Sequence, residues 1–350
     1  MHRPACEQLA QANSATNAFS PYECGLIIYL QSCVCDATNP PRDAARLASH
    51  GGAAWANMGV RMAATLLFCF CVLHVHSASS QNRTVTVTGA TGHTGSMVYT
   101  SLKQQGLTVR ALVRNITKAR EVLKCVRCDA SEGIFVGDVS QVATLGAAMA
   151  GAHSLIITTG PAYHCLIPSI YAGCTYYPGA DPKSIAWLGV KNQVASFASS
   201  TGPAPGDRHV VLLSNDLTTL PDNFIDKVGG GHGCFYALNG EAFTMASGLP
   251  YTIIKPNGLN FAAAATQEIV VAHDDTGWKP TDLNYEFIGR ADVARLLTYA
   301  ALNPDMARGL RFDVTSLKSG GTPTHDVSAV FCAALNPWDP RACATLTQEH

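Results

Sequence analysis

A glycine-rich turn between a strand pattern and a helix pattern constrains the fold of this chain more than any other feature. Residues 88–95 read TGATGHTG, after the alternating run 85–87 and before apolar residues at helical spacing from Met97 to Leu102. A strand, a glycine turn and a helix in this order bind the pyrophosphate of a dinucleotide at the helix N-terminus. The alternative is a turn of the same shape that binds nothing.

Each glycine of the turn has its own expected role. Gly89 permits the tight turn, Gly92 lets backbone amides approach the pyrophosphate, and Gly95 lets the helix pack closely on the strand. The turn supplies further expected cofactor contacts from Thr88, Thr91, His93 and Thr94.

The ends of the next three predicted strands supply further cofactor signals. Arg114 ends the second strand, where an acidic residue would bind the 2′-hydroxyl of NAD. A guanidinium there suits the 2′-phosphate of NADP, although an arginine that is merely solvated is the alternative. Asp138 and Val139 end the third strand, where adenine is expected, and Thr159 and Gly160 end the fourth, along the nicotinamide ribose. The pattern favours NADP(H) over NAD(H).

The order of these elements predicts an α/β fold. We expect a Rossmann-like, doubly wound parallel sheet with helices on both faces and the glycine-rich loop after the first strand. This domain should span 81–316, between an N-terminal extension (1–80) and a C-terminal tail (317–350) with one short helix (327–335). The net charge of −1 and the lack of a long basic run give nucleic-acid binding no electrostatic support.

Five motifs of the chain resemble the atypical short-chain dehydrogenase/reductases. They are TGATGHTG, ALVRN, GDV, SGLPYTIIKPNGL and GRADVARLL, and they extend from about Arg83 to Thr315. The most similar branch is the NmrA-like, NAD(P)-binding family, in particular an algal, plastid-type subgroup. This resemblance implies a Rossmann fold with NADP(H) in the crevice. It implies no particular substrate, because the family includes both reductases and non-catalytic redox sensors.

Ordinary short-chain dehydrogenases use a Tyr as general acid with a Lys four residues later on the same helix. Residues 99–103 and 251–255 have this spacing. The first segment follows the glycine turn, at the wrong end of the site, and the second is a predicted strand, on which residues four apart lie roughly 13 Å apart. The helix expected at 233–247 contains Tyr236, but Gly240 stands four residues on. The Tyr/Lys pair is therefore missing.

Other residues are candidates for the nicotinamide end of the site. Ser214 ends the fifth strand and matches the family's catalytic or orienting Ser, and Tyr236 is a candidate proton donor. A strand-end hydroxyl and a packed aromatic ring are their structural alternatives. Lys255 matches the basic residue of the family's turn after the sixth strand, and we expect it at the cofactor. Lys191 and Asn192, in GVKNQV, are plausible either beneath the ribose or as solvated helix residues.

Two loops should cover the carboxyl ends of the strands and form the substrate side of the site. Residues 161–181 are rich in tyrosine, and residues 217–233 end in GGGHG. The glycines suit a hinge or an anion-binding nest. His232 is either an acid/base or the cap of the next helix.

We expect a targeting signal within the first 80 residues. Residues 62–73 form a mainly apolar run of twelve residues after Arg61, too short to span a bilayer comfortably and typical of a signal-peptide core. Met58 is a sensible start for such a peptide; a longer presequence and a buried helix are the alternatives. We expect no stable transmembrane anchor after processing. A signal peptide is also the first half of some plastid addresses, so we expect the plastid, then the ER and secretory pathway, then the cytoplasm.

The cysteines leave the redox state of the chain open. Cys125 and Cys128 form a CxxC without a second pair at zinc-finger spacing. We therefore expect no metal, and a redox pair stays possible. Pairs at 165/174 and 332/343 would bridge in an oxidising compartment.

Two classes of function remain. The leading interpretation is an NADP(H)-dependent oxidoreductase that transfers hydride to a small carbonyl, enone or quinone-like substrate. The missing Tyr/Lys pair favours a non-catalytic NADP(H)-binding redox sensor or scaffold instead. An isomerase or epimerase that uses NADP transiently is a weaker third interpretation, because it normally needs the same pair.

Overall fold

The computed structural model describes residues 83–166, 172–220, 223–277, 284–341 and 343. The expected targeting segment and the rest of the N-terminal extension lie outside these residues. Within them, every helix is too short or too polar to cross a membrane.

Strands and helices alternate along the first part of the described chain. They are β1 (Thr84–Thr88), α1 (His93–Gln104), β2 (Thr108–Val113), α2 (Ile116–Leu123), β3 (Ile134–Val136), α3 (Gly146–Met149) and β4 (Ser154–Ile157). The tyrosine-rich insert then holds a hairpin of β5 (Tyr163–His164) and β6 (Thr175–Tyr176).

The second part begins with a π-helical segment (Lys183–Gly189) that continues directly into α4 (Val190–Ser199). The later helices are α5 (Gly233–Ala246), α6 (Arg290–Leu302), α7 (Pro304–Ala307) and α8 (Ser328–Ala333). The later strands are β7 (His209–Leu213), β8 (Tyr251–Pro256), β9 (Leu259–Asn260), β10 (Ile269–Ala272), β11 (Tyr285–Glu286), β12 (Ile288–Gly289) and β13 (Leu310–Leu317).

The main sheet has the strand order β3-β2-β1-β4-β7-β8-β13-β10. Its strands pair in parallel from β3 to β13, and β10 and β11 pair with β13 in antiparallel fashion. Strands β2 and β3 lie on one side of β1, whereas β4 and the later strands lie on the other side. This change in strand order between β1 and β4 creates the crevice where open α/β sheets bind ligands. The predicted doubly wound Rossmann-like fold is confirmed.

Hydrophobic side chains form one cluster on each face of this sheet. Neighbouring residues of β4 show the division, because Ile156 belongs to one cluster and Leu155 and Ile157 belong to the other. Successive side chains of a strand point to opposite faces, so a parallel strand that is covered on both faces is apolar throughout. Helices α1, α6 and α8 cover the first face, and α3 and α4 cover the second.

The C-terminal tail packs on this core. The ring of Phe331 in α8 lies 4.7 Å from Tyr299 and 5.6 Å from Phe312, measured between ring centroids. The short helix predicted in the tail is therefore present, and it buries Phe331 completely.

The described cysteines form three disulfides. Cys125 bonds to Cys128, Cys165 to Cys174 and Cys332 to Cys343. Cys234 is a buried free thiol at the start of α5. The sequence allowed all three bridges without deciding between thiol and disulfide.

Candidate functional site

The glycine turn packs directly against the end of β4. Gly89 has φ +71°, and a Cβ there would lie 2.7 Å from the carbonyl oxygen of Thr158. A Cβ on Gly95 would lie 2.3 Å from the carbonyl oxygen of Gly89. The amide of Gly92 donates to that same oxygen at 2.8 Å and closes the turn. Side chains at these positions would therefore push α1 away from the crevice.

The N-terminus of α1 is open to an anion. Gly92 occupies the N-cap position, no side chain caps the helix, and its first turn holds no acidic residue. The first amides of a helix lack intrahelical acceptors and carry the positive end of the helix dipole. This end of α1 therefore fits the pyrophosphate of a dinucleotide, which the sequence predicted here.

Thr88 has a structural role in the sheet. It is fully buried, and its hydroxyl points to the carbonyl oxygen of Ile156 at 3.5 Å. Its own carbonyl oxygen accepts a 2.7 Å hydrogen bond from the hydroxyl of Thr158. The expected contact between the Thr88 side chain and the cofactor is therefore not available. Thr91 and His93 stay accessible, and Thr94 is buried.

Arg114 and Asp138 lie near each other at the ends of β2 and β3. Arg114 is exposed. Burial acts to raise the pKa of Asp138, but hydrogen bonds from the amide and hydroxyl of Ser140 and the charge of Arg114 outweigh it and hold that pKa below its ordinary value. The two side chains thus form a charged edge where the adenosine half of a dinucleotide is expected.

The helix before the fifth parallel strand contributes a buried amide that the sequence did not single out. Gln193 is fully buried and donates to the carbonyl oxygen of Gly189 at 2.9 Å and to the hydroxyl of Thr159 at 3.2 Å. Its carbonyl oxygen has no hydrogen-bond partner in the described part of the chain. A buried acceptor next to Thr159 suits a ligand hydroxyl, such as one on the nicotinamide ribose. In the sequence, Gln193 follows Gly189 by four residues, about one helical turn, and this spacing was the signal that could have indicated their contact.

The two residues that the sequence did single out on this helix lie elsewhere. Asn192 donates to the carbonyl oxygen of Val139 at 2.9 Å and so joins α4 to the end of β3. Val139 itself is buried beneath the crevice rim. Lys191 lies over the rings of Trp187 and Phe243, with its nitrogen 5.7 Å and 5.9 Å from the ring centroids. Lys191 is exposed, in agreement with a solvated helix residue.

Ser214 belongs to a buried charge network. Its hydroxyl donates to Glu241, which is fully buried, at 2.5 Å. Glu241 in turn forms an ion pair with Arg311, at 2.8 Å, and accepts from Thr218. Because the Ser214 proton is directed at Glu241, the half-buried Ser214 oxygen offers its lone pairs to the crevice.

The position four residues after Tyr236 cannot hold a lysine. A Cβ on Gly240 would lie 2.4 Å from the carbonyl oxygen of Ala186, because the π-helical segment packs against α5 at this point. Tyr236 itself is half-buried, and its ring contacts Phe235 with 5.2 Å between centroids. The missing Tyr/Lys pair therefore has a steric cause.

Lys255 lies in the interior and not at the cofactor position. It is fully buried, with its nitrogen 2.8 Å from Asp275 and 2.7 Å from Asp313. Burial raises the pKa of Asp313 despite the opposing charge of Lys255. At Asp275 burial acts in the same direction, but hydrogen bonds from Lys255 and Thr219 outweigh it and lower the pKa. The expectation of a cofactor contact fails because a lysine inside a fully covered strand needs buried acidic partners.

The two expected substrate loops pack on each other through one tyrosine. A Cβ on Gly229 or Gly231 would strike the ring of Tyr176, at 2.9 Å and 2.3 Å. The hydroxyl of Tyr176 donates to the carbonyl oxygen of Val228 at 3.1 Å, and burial raises the pKa of this tyrosine to about 12. The glycines therefore form a flat support for the ring of Tyr176.

Asp226 caps α5 in place of His232. One carboxylate oxygen of Asp226 accepts from the amide of Phe235 at 2.9 Å, and the other lies 3.1 Å from a ring nitrogen of His232. Asp226 is buried, whereas His232 is exposed with φ +51°. The sequence pointed to the histidine and missed the aspartate, which precedes the helix by seven residues.

An aromatic side chain borders the glycine turn. The ring of Phe261 lies 5.2 Å from the ring of His93, edge to face, and the guanidinium of Arg290 lies 4.4 Å from its centroid. Phe261 is 68% exposed. The segment after β8 thus places an exposed ring beside the predicted pyrophosphate position. No motif in the sequence indicated this residue.

Comparison with known proteins agrees with this geometry. The sheet order and the glycine turn define a Rossmann-fold protein of the NAD(P)-binding class. Residues 81–168 match the NmrA-like family. Sanguinarine reductase from Eschscholzia californica is 31% identical over 285 residues, which cover 74% of this chain and 99% of that protein. The chain belongs to the NmrA-like family, and the resemblance seen in its motifs is confirmed.

Two further relatives are plant proteins named as chloroplastic. An uncharacterised protein of Arabidopsis thaliana is 28% identical over 268 residues, 73% of this chain and 76% of that protein. Protein TIC 62 of Pisum sativum is 25% identical over 244 residues, 65% of this chain and 42% of that protein. Among solved structures, a Bacillus halodurans protein described as an NAD-dependent epimerase/dehydratase is similar in fold, with a TM-score of 0.54 and 19% identity over 71% of this chain and 99% of that one.

Proposed function

We propose that this protein is an NADP(H)-dependent reductase that acts on a small carbonyl or quinone-like substrate. The observation that carries the proposal is the uncapped, acid-free N-terminus of α1, which Gly89 and Gly95 hold against the end of β4 at the switch point of the sheet. A relative that is named a reductase and matches 74% of this chain supports it.

Each part of the cofactor has residues that suit it. The amides of His93, Thr94 and Gly95 suit the pyrophosphate, Arg114 the 2′-phosphate and Asp138 the adenine amino group. Thr159 and the unpartnered carbonyl oxygen of Gln193 suit the nicotinamide ribose. When bound, NADPH would supply the hydride.

The side chains at the nicotinamide end would orient the substrate and supply a proton. Ser214, whose own proton is directed at Glu241, accepts a hydrogen bond from a polar substrate group. The hydroxyl of Tyr236 makes no hydrogen bond within the described residues and is the candidate proton donor. Phe261 offers a flat apolar surface beside the turn.

Single-turnover oxidation of NADPH tests the reductase directly. The full chain is mixed with equimolar NADPH and a panel of aldehydes, enones and quinones, and absorbance at the nicotinamide band is followed. We expect oxidation with at least one member and a rate about 10²-fold lower in Tyr236→Phe, which is the usual size of a general-acid contribution. Tyr251→Phe is the matched control and should keep the rate.

A second candidate function is a cofactor-responsive sensor or scaffold without turnover. The steric exclusion of a lysine at Gly240 favours it, because the usual partner of the catalytic tyrosine is absent. Tight NADPH binding without oxidation by any panel member would establish this second function and exclude the first.

We also propose that the protein resides in the plastid. The apolar segment at 62–73 in a presequence-like extension and the chloroplastic relatives support this location. A fluorescent fusion of the full chain should co-localise with the plastid, and a fusion that lacks residues 1–80 should not. Retention of the full-length fusion in the ER would contradict the proposal.

A further inference from the structure

The CxxC pair follows the helix that begins just after Arg114, the predicted 2′-phosphate residue. Helix α2 begins directly after Arg114, with Asn115 as its N-cap, where the Asn115 side chain accepts from the amide of Lys118 at 3.0 Å. The same helix ends at Leu123, and its C-cap Lys124 immediately precedes Cys125. An eight-residue helix is about 12 Å long, so a change at its C-terminus reaches Arg114 through one short rigid element.

Helix α2 has little packing of its own. Ala119 is its one buried residue. The position of such a helix depends on what holds its ends, because a helix in a protein draws most of its stability from an apolar face. At the C-terminus, Leu123 and Cys125 pack partly against the hydrophobic cluster that contains Ala119, and the bond to Cys128, which is 2% exposed in the same cluster, adds a covalent tie.

Hydrogen bonds to Glu132 keep the turn that carries the pair in a shape that lets the disulfide form again after reduction. The carboxylate of Glu132 accepts from the amide of Cys128 at 2.7 Å and from the amide of Val126 at 3.3 Å. These bonds do not involve sulfur, so they hold the turn together when the disulfide opens.

We propose that Cys125–Cys128 is a reversible dithiol/disulfide switch that sets the affinity of the Arg114 site for the cofactor phosphate. Cys125 is half-buried and Cys128 is buried, so a reducing dithiol protein attacks the sulfur of Cys125. The S–S bond breaks, a mixed disulfide forms on Cys125, and Cys128 leaves as a thiolate that takes up a proton. The second thiol of the reductant then displaces Cys125, which also becomes protonated, and the reductant is oxidised to its disulfide. Two electrons and two protons pass to the pair.

Opening the switch frees the C-terminal end of α2. The oxidised form holds the helix, and with it Arg114 and Asn115, in the position seen here, so we expect tighter NADPH binding in the oxidised form. This part of the inference rests on the proposed function. The loosening of α2 itself does not.

The test is a redox titration of the full chain in mixtures of reduced and oxidised dithiothreitol. Free thiols are trapped with a maleimide and located by peptide mass spectrometry, while NADPH affinity and hydrogen exchange of the α2 amides are measured on the same samples. We expect Cys125 and Cys128 to convert together in one two-electron step. NADPH affinity should fall at least about fivefold on reduction, within the usual range of coupling between sites, and the α2 amides should exchange faster.

Two double-cysteine variants show which disulfide causes the change in NADPH affinity. Cys125→Ser/Cys128→Ser should bind NADPH as the reduced protein does at every redox setting. Cys332→Ser/Cys343→Ser, which removes a disulfide in the C-terminal tail, should keep the full redox dependence. A pair that stays oxidised throughout, or equal α2 exchange in both states, would overturn the switch. So would stoichiometric zinc on the reduced chain, because Cys125, Cys128 and Glu132 would then be metal ligands.

Failure of the proposed function gives a different result. If neither redox form binds NADPH but the α2 amides still respond, the reductase proposal and the control of phosphate affinity both fail, and only the redox-dependent loosening of α2 stands. If NADPH binds equally to both forms, the phosphate site stands and its control by the cysteine pair is wrong.

Discussion

Gly240 shows how one residue decides which chemistry the site can support. Its missing side chain lets the backbone of α5 approach the carbonyl oxygen of Ala186. The same close approach excludes the lysine that usually assists a catalytic tyrosine, so any proton transfer by Tyr236 occurs without that partner.

We predict that Gly240→Ala destabilises the protein by about 2 kcal/mol. Alanine normally favours a helix interior over glycine, but here the added methyl group has to push apart two packed segments. Gly233→Ala at the start of the same helix is the matched control, because its Cβ would meet only Pro182 at 4.0 Å. Urea unfolding of both variants measures the difference. Equal stability of Gly240→Ala and the native protein would contradict the packing seen here.

Single residues were also where the sequence was least informative. Glycines 89, 92 and 95 could be assigned because their roles depend on the local backbone. Glu241 and Arg311 are 70 residues apart in the chain, and Lys255 is 58 residues from Asp313, so no local pattern could pair them. A lysine within an apolar strand does signal a buried acidic partner, but the sequence does not identify which aspartates fold against it.

At the scale of elements, the two loops over the crevice act as one unit. Cys165–Cys174 closes the tip of the β5–β6 hairpin, and Tyr176 packs on Gly229 and Gly231. Loops that are fixed in this way place their remaining side chains in a defined position over the strand ends. The sequence indicated both loops by their length and composition, but not the contact between them.

The contact through Tyr176 predicts a loss of stability at high pH. The pKa of Tyr176 is raised from 10.0 to about 12 in the folded protein, so the folded form holds its proton more tightly than the unfolded form. Its contribution is fully present below pH 10 and is lost as the pH rises through 12. Thermal unfolding of Tyr176→Phe should therefore show a smaller decrease over this range than the native protein. Tyr177→Phe, an exposed neighbour, should behave like the native protein.

The regular elements themselves could be predicted well. β1, β2, β4, β7, β8 and β13 are short apolar runs bounded by polar or glycine residues, and α1, α5 and α6 have helical spacing. The two-residue strands β9 and β12 could not be predicted, because they pair with each other across 27 residues and have no pattern of their own. The π-helical segment before α4 was missed because it, too, has no sequence pattern of its own.

At the scale of the whole molecule, a buried histidine joins two neighbouring strands in the middle of the main sheet. His209 in β7 is 1% exposed, and its ring nitrogen lies 2.9 Å from the hydroxyl of Thr252 in β8. Burial lowers the pKa of His209 from 6.5 to about 4. The folded protein therefore keeps this side chain neutral where the unfolded chain would be protonated.

We predict an acid destabilisation that depends on His209. The contribution of a group with a lowered pKa is fully present above pH 6.5 and is lost as the pH falls through 4, which amounts to about 3 kcal/mol. In His209→Gln the free energy of unfolding should be lower at pH 7 but should change less between pH 6.5 and 4. His164→Gln, at an exposed position in the hairpin, is the control and should keep the native pH dependence. Urea titrations at several pH values provide the measurement.

The most direct test of the central claim is the equilibrium binding of NADPH and NADH to the full chain, compared with Arg114→Ala. We predict that the native protein binds one NADPH per chain and prefers it to NADH. Arg114→Ala should lose about 10- to 100-fold in NADPH affinity and little in NADH affinity, because a charge-assisted hydrogen bond contributes about 1.5–3 kcal/mol. Lys118→Ala removes a positive charge from α2, the helix that follows Arg114, and should leave the preference in place. Failure of the native chain to bind either dinucleotide would contradict the account.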